Sequence, residues 1–357
     1  MRRTPALIVG GGPAGAAAAI VLARAGAPHL LVERSRDTGD ALCGGFLSWR
    51  TLRTLAALGV EADMLNPARV TRVRIIAGAR QVEAPLPAPA VSVSRRRLDT
   101  VMLAHAIAGG ASVERGVTVR AIEALAARTA DGATIAADTM FLASGKHDIR
   151  GVARPEDARG ADPTLGLRIR LTDPSTARLV GDAVELHLFR GGYAGIAVQE
   201  DGSVNICMAV HRSRMQAAGG PVALLRTLGD ALPRFGERLS TWDGGAPDAV
   251  ANVPYGWRAL ATTCRTFRLG DQAAVIPSLA GEGMGIAIAS GAAAAAAHVS
   301  GEAAEHWQSA FARTVARPMR AAAMLRRLAE SPVAAALLPL LRPDLIRISA
   351  NATRIGD

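Results

Sequence analysis

The chain has 357 residues, 50% of them hydrophobic and 20% charged, and its net charge of +10 comes almost entirely from arginine, since Lys146 is the sole lysine. That balance excludes a disordered or fibrous protein and gives length for one large or two joined domains around a buried core. With 3% aromatic residues and arginines scattered through predicted helices and strands, a nucleic-acid platform is excluded; the charge reads as a solvated surface with at most weak attraction to anionic lipid or substrate.

The first predicted strand runs into the glycine turn of ALIVGGGPAG, followed by an Ala-rich helix from about Ala14 and a second short strand ending in Glu33. Gly10 turns the chain sharply, Gly12 leaves no Cβ between backbone and a pyrophosphate, and Gly15 lets the helix lie close on the sheet. The helix start offers bare N–H groups and the positive end of its dipole to phosphates, and Glu33 stands at the distance expected of a carboxylate that binds ribose hydroxyls. The order strand, turn, helix, strand, acid predicts a dinucleotide site. Next come a polar loop holding Cys43 and Gly44, a helix from Ser48 with Leu52, Leu55 and Leu58 closed by Gly59, and strands over 70–76 and 81–83. Pro85, Pro87 and Pro89 predict an edge strand or a crossing between domains. An arginine-led helix over 96–108 follows; Arg95, Arg96 and Arg97 oppose its dipole, which an anionic partner would relieve. Strands at 113, 118–122 and 134–143 complete this part.

From about 160 to 261 the apolar residues alternate with period two, which predicts a half-buried antiparallel sheet, one face covered and one open, with helices over 221–232 and 233–239. Such a sheet inserted in a nucleotide domain makes a natural roof for a substrate pocket. The next strand ends at Gly270-Asp271, and after a loop with Pro277 the run Gly281-Glu282-Gly283-Met284-Gly285 opens a long small-residue helix, a second helix start suited to an electron-rich ligand. Helix is predicted to about 330, then a Pro-bounded apolar helix and a polar tail. Three unpaired cysteines (Cys43, Cys207, Cys264) suggest neither disulfides nor zinc and predict a cytoplasmic setting; the histidines show no ligand spacing, so no metal is expected. The N-terminal apolar run is consumed by the first strand, and no later run reaches the roughly 18 residues of a membrane span.

These segments together resemble the FAD-dependent monooxygenases of the para-hydroxybenzoate hydroxylase type and the geranylgeranyl reductase flavoproteins over nearly the whole chain. The resemblance implies an α/β fold: a Rossmann-like FAD-binding domain (1–159, completed by 265–301), an inserted antiparallel-sheet substrate domain (160–264) and a C-terminal helical segment (302–357). It implies FAD as cofactor, with NAD(P)H a candidate electron donor. By that likeness Gly10, Gly12, Pro13, Ala14, Gly15, Glu33, Arg34 and Val119 meet the adenosine diphosphate end and Arg95 contacts FAD. Gly270 and Asp271 hold the ribityl chain, Gly281, Gly283 and Met284 face the flavin, and Cys43-Gly44 lie beside it. The family's internal Asp-Gly motif reads Ala143-Ser144-Gly145-Lys146-His147 here, so the aspartate tied to NAD(P)H use is missing. The reductases' Tyr-x-Trp-x-Phe becomes Tyr193-Ala194-Gly195-Ile196-Ala197, which enlarges a cavity. The activity expected first is hydroxylation of a lipophilic or aromatic small molecule through a flavin C4a-hydroperoxide. The alternatives are reduction of a prenyl or polyketide C=C bond, with Tyr193 or Cys43 as proton donor, and a non-enzymatic nucleotide-binding protein.

Overall fold

The computed structural model describes residues 2–355, the side chain of Arg159 aside. The strand Arg2–Val9 sends Ala6 and Ile8 to one apolar layer and Leu7 and Val9 to another. Both faces are covered, which is why the strand is a continuous apolar run. It pairs in parallel with Leu30–Glu33 on one side and Thr134–Leu142 on the other. Ser112–Arg115 adds to the first edge in parallel, and Val119–Glu123 and Ala126–Thr129 form an antiparallel hairpin against Thr134–Leu142. Thr266–Arg268 also joins Thr134–Leu142 in parallel, so the chain returns to the first sheet after a long excursion.

The glycine-turn helix Pro13–Arg24 packs against the late helix Gly283–Val299. Their small residues explain the closeness: a Cβ on Gly291 would stand 2.1 Å from the Ala14 carbonyl oxygen. Alanine and glycine faces let two backbones approach where leucines would hold them apart. This contact brings the two helix starts noticed in the sequence to one side of the sheet.

The second sheet has eight strands, in the order Asp248–Val253, Thr164–Leu171, Val204–His211, Gly192–Val198, Ala183–Phe189, Val70–Ala77, Arg80–Ser92, Phe46–Leu47. It departs from the expected antiparallel insertion in two ways. It recruits strands from residues 46–92, grouped above with the nucleotide half, and Ala183–Phe189 runs parallel to Val70–Ala77, so the sheet is mixed. The apolar residues of Val70–Ala77 find their neighbours there: Val73 clusters with Ala84 and Ile346. Arg80–Ser92 passes straight through the three prolines as the next-to-edge strand. Its ladder to Val70–Ala77 breaks between Pro85 and Ala90, as it must where prolines bring no N–H.

One face of this sheet packs on the helices Pro174–Val180, Pro221–Ala231 and Pro233–Arg238. The other is not open to solvent as the alternation suggested. The C-terminal helices Ala304–Ala329, Ala334–Leu337 and Pro343–Ala352 roof it, and residues of all three line the cavity beneath. The polar tail therefore begins as a helix, and Thr353, Arg354 and Ile355 turn inward and are buried.

Candidate active site

A cavity of about 1100 Å³ lies between the two sheets and under the C-terminal roof. Of the site residues expected from sequence, all but Gly15 line it. Gly15 is a packing residue instead: a Cβ there would meet the Gly10 carbonyl oxygen at 1.9 Å. Gly10 is in the left-handed region (φ +111°), with its Cβ position 2.5 Å from the Ala143 carbonyl oxygen, so the turn is pressed onto the end of the neighbouring strand. The helix after it starts at Pro13 with no side-chain cap and no acid in its first turn, which leaves its N–H groups and dipole facing the cavity. Glu33 is fixed at its strand end by accepting from the Gly11 N–H at 2.7 Å and the Ser35 N–H at 2.9 Å. Arg34 contacts His147 at 2.8 Å, tying the two strand ends together.

The arginine-led helix Arg95–Ala108 resolves its dipole conflict with the protein's own carboxylates. Glu200 accepts from the backbone N–H of Ser94 at 2.8 Å and from its hydroxyl at 2.5 Å, and Asp40 accepts from the Arg96 N–H at 3.2 Å. Arg95 points into the cavity and donates twice to Asp99, at 2.9 and 2.7 Å. Burial alone would lower its pKa, but Asp99 outweighs burial and holds it above the ordinary value.

Asp271 stands where the first sheet meets the second helix start. Its carbonyl accepts from Arg154 at 3.0 Å, and its carboxylate lies 3.5 Å from the ammonium of Lys146. Asp271 raises the lysine against the opposing effect of burial. The segment without the family's aspartate thus supplies a cation instead, and Gln272 ties it down by donating to the Gly145 and His147 carbonyls at 2.8 and 3.1 Å.

Gly281 adopts the left-handed conformation just before the helix Gly283–Val299. The intervening Glu282 is fully buried and accepts from the Ser48 hydroxyl at 3.1 Å, from the Arg354 guanidinium at 2.9 Å and from the Ile355 N–H at 3.4 Å. Arg354 also donates to the Ala280 carbonyl and stacks over Trp49 and Phe46 at 5.2 and 5.7 Å. Burial raises Glu282 and lowers Arg354, each toward neutrality, and their mutual contact opposes it. Sequence reading missed Arg354, because nothing local in a polar tail marks a residue that closes a site 72 positions earlier.

On the second sheet, Tyr193 is buried and its hydroxyl lies 2.5 Å from that of Ser278, which lies 2.6 Å from that of Tyr255. Burial raises both phenols, so both stay protonated through the neutral range. The Cys43 carbonyl accepts from Asn205 at 3.0 Å. Cys207, also in the wall, is pushed up to about 12 by burial and remains a thiol. Among the described residues no His, Cys, Asp and Glu cluster could hold a metal.

Residues 3–151 match the FAD-binding domain family. The chain is an FAD-dependent oxidoreductase. The residues present fit the cofactor: a Cβ at Gly12 would fill the floor beside Arg95, which it would meet at 3.3 Å. The cavity, at about 1100 Å³, exceeds the roughly 300–1,000 Å³ of common ligand sites. Over 96% of its length this flavoenzyme is 27% identical to a menaquinone reductase of Mycobacterium tuberculosis, 88% of which is covered. A menaquinone reductase of Mycolicibacterium smegmatis is also 27% identical, over 84% of this chain and 77% of that one. Among solved structures, a flavoprotein/dehydrogenase from Cytophaga hutchinsonii aligns with TM-score 0.82 and 17% identity, covering 99% of this chain and 92% of that one. A probable FAD-dependent monooxygenase from Pseudomonas aeruginosa aligns with TM-score 0.71 and 16% identity, over 95% of this chain and 100% of the other. A geranylgeranyl bacteriochlorophyll reductase-like protein from Thermoplasma acidophilum aligns with TM-score 0.68 and 20% identity, over 100% and 94%. At these identities the structural matches speak for the fold.

Proposed function

We propose that this flavoenzyme reduces a carbon–carbon double bond of a lipophilic, chain-bearing molecule such as a prenylated quinone. The observation that carries the reading is the hydroxyl chain Tyr193–Ser278–Tyr255, which joins the second sheet to the loop before the Gly283 helix and opens on an apolar chamber. Val73, Ile75, Leu86, Val184, Leu186 and Leu188 make one wall of that chamber, and Gly195 and Ala197 leave it wide. Such a wall excludes water and orients an apolar chain without a charged contact. Full-length likeness to proteins named menaquinone reductase supports a quinone-bearing substrate.

The glycine turn and the Pro13 helix start would hold the pyrophosphate, Glu33 and Arg34 the adenosine ribose, and Val119 the adenine. Arg95 and Asp271 would hold the cofactor's middle, while Cys43, Gly44, Gly281, Gly283 and Met284 would frame the flavin. FAD held there would, when reduced by an external two-electron donor such as NAD(P)H, supply the hydride. The double bond then needs one proton. Tyr193 donates it at its hydroxyl oxygen and recovers it from Ser278, which draws on the half-buried Tyr255. Raised phenol pKa values keep that route loaded at neutral pH.

The hydroxylation expected first from sequence is the competing outcome, and it is supported by fold likeness to a monooxygenase alone. Product mass separates the two when the photoreduced enzyme turns over a menaquinone without oxygen. A product that keeps two added hydrogens after air has re-oxidised any quinol to the quinone supports reduction of the carbon–carbon bond, and one that returns to the starting mass contradicts it. A product gaining one oxygen, formed only in air, contradicts it.

A further inference from the structure

We propose that the C-terminal roof is a docking surface for an anionic lipid bilayer, through which the lipophilic substrate reaches the chamber. Eleven large hydrophobic side chains are exposed among the described residues, and six of them fall between positions 324 and 348. Met324 is 68% exposed, Leu340 69% and Ile348 62%, values that a roof folded only over its own core would not need. The same elements carry both surfaces. In Pro343–Ala352, Leu345 and Ile348 face out while Ile346 is buried and lines the cavity; Leu340 faces out and its neighbour Leu341 lines the cavity. Leu328 does both: it belongs to the cavity wall and is 41% exposed, so the mouth opens at the end of the helix Ala304–Ala329.

Charge selects the occupant. Between 313 and 347, Arg313, Arg317, Arg320, Arg327, Arg342 and Arg347 are exposed, and Asp344 is the one exposed acid. An apolar patch rimmed by arginines matches the interface of an anionic membrane, where side chains insert and guanidinium groups meet phosphate. A protein partner would need an acidic surface of matching shape, and nothing in the patch selects one. No helix among the described residues is long and apolar enough to cross a membrane, so the roof lies on the surface and its short helices sink side chains only. The proposal rests on a lipophilic substrate for its purpose, but lipid binding is read without turnover, so its failure is distinct from failure of the reductase reading.

The test is flotation of the FAD-loaded enzyme with vesicles of phosphatidylglycerol and, separately, phosphatidylcholine. The enzyme is expected to float with the former and far less with the latter, increasingly so at low salt. The double variant Leu340→Glu/Ile348→Glu, whose positions do not line the cavity, is expected to lower vesicle partitioning by about tenfold or more. Arg342→Gln/Arg347→Gln is expected to lower it several-fold and flatten the salt dependence. Flavin content and melting temperature of each variant establish that it is folded. Equal partitioning of wild type and folded Glu variants would overturn the proposal. So would sedimentation showing that the patch joins two copies of the chain, with the Glu variants monomeric and wild type indifferent to lipid.

Discussion

Glu185 and Glu282 are both fully buried and both answered by arginine, yet their pKa values move in opposite directions. Glu185 lies on the covered face of the second sheet, where Arg238 donates to it at 3.0 and 3.1 Å, His187 contacts it at 3.0 Å, and Arg74 reaches it from the neighbouring strand. Burial works against its ionisation, but these partners hold its pKa down to about 2. Glu282, at the cavity, has one arginine, one hydroxyl and one long backbone contact, and burial wins: its pKa is raised. The first is an over-compensated structural charge. The second is a charge the fold tolerates where the cofactor and the chain's end meet, and such under-compensated groups gather at functional sites.

The contrast predicts a graded set of effects. The largest belongs to Glu185→Ala, which leaves Arg238 and Arg74 without their shared counter-charge; about 3–5 kcal/mol of stability is expected to be lost in urea denaturation. Flavin affinity of the folded fraction is expected to stay unchanged. Equal loss of flavin would erase the division between structural and cavity charge.

Acid titration of stability probes the same contrast by sign. Glu185 has a folded pKa of about 2 against an ordinary 4.5. Its contribution is therefore complete above 4.5 and is lost as pH falls toward 2, amounting to about 3 kcal/mol. Glu282 is raised above 4.5, so its contribution is greatest below 4.5 and declines as pH rises through the folded value. Glu185→Gln should flatten the acid limb, and Glu282→Gln should remove a slope of opposite sign just above it. Parallel changes in the two variants would contradict the assignment.

Arg354→Ala is expected to cost roughly 1–3 kcal/mol, less than Glu185→Ala because Glu282 can take up a proton when its partner goes. Flavin retention should fall with it, and Arg354→Lys should restore part of both. The smallest effect is expected from Lys146→Gln. Its ammonium is about one-third exposed beside Asp271, so a weakening of FAD binding by about 0.2–1 kcal/mol is expected, measured by flavin fluorescence on dilution.

The same division explains what could be read from the sequence. The glycine turn, its helix and Glu33 are built within 30 residues, and every contact that shapes them follows from backbone geometry: a left-handed Gly10, a Cβ-free Gly15, a carboxylate returning to the Gly11 N–H. Alternation likewise located the strands between 164 and 211. Alternation does not say which strands pair, so the recruitment of Val70–Ala77 and its parallel match to Ala183–Phe189 were illegible. Arg354 and the Tyr193–Ser278–Tyr255 chain depend on residues 72 and 85 positions apart. The signal for the inward tail was faint: Ile346 and Ile355 are buried, but two apolar residues in a polar stretch set no direction.

The central claim, that this FAD-dependent enzyme passes a hydride to a lipophilic double bond, is tested most directly by stopped-flow under argon. Photoreduced enzyme mixed with a prenylated quinone should regain the absorbance of oxidised flavin in a single turnover, and the product, once any quinol has been re-oxidised in air, should keep two added hydrogens. Tyr193→Phe should slow that recovery while substrate binding is retained. Flavin that stays reduced until oxygen is admitted, in wild type with substrate bound, would contradict the claim.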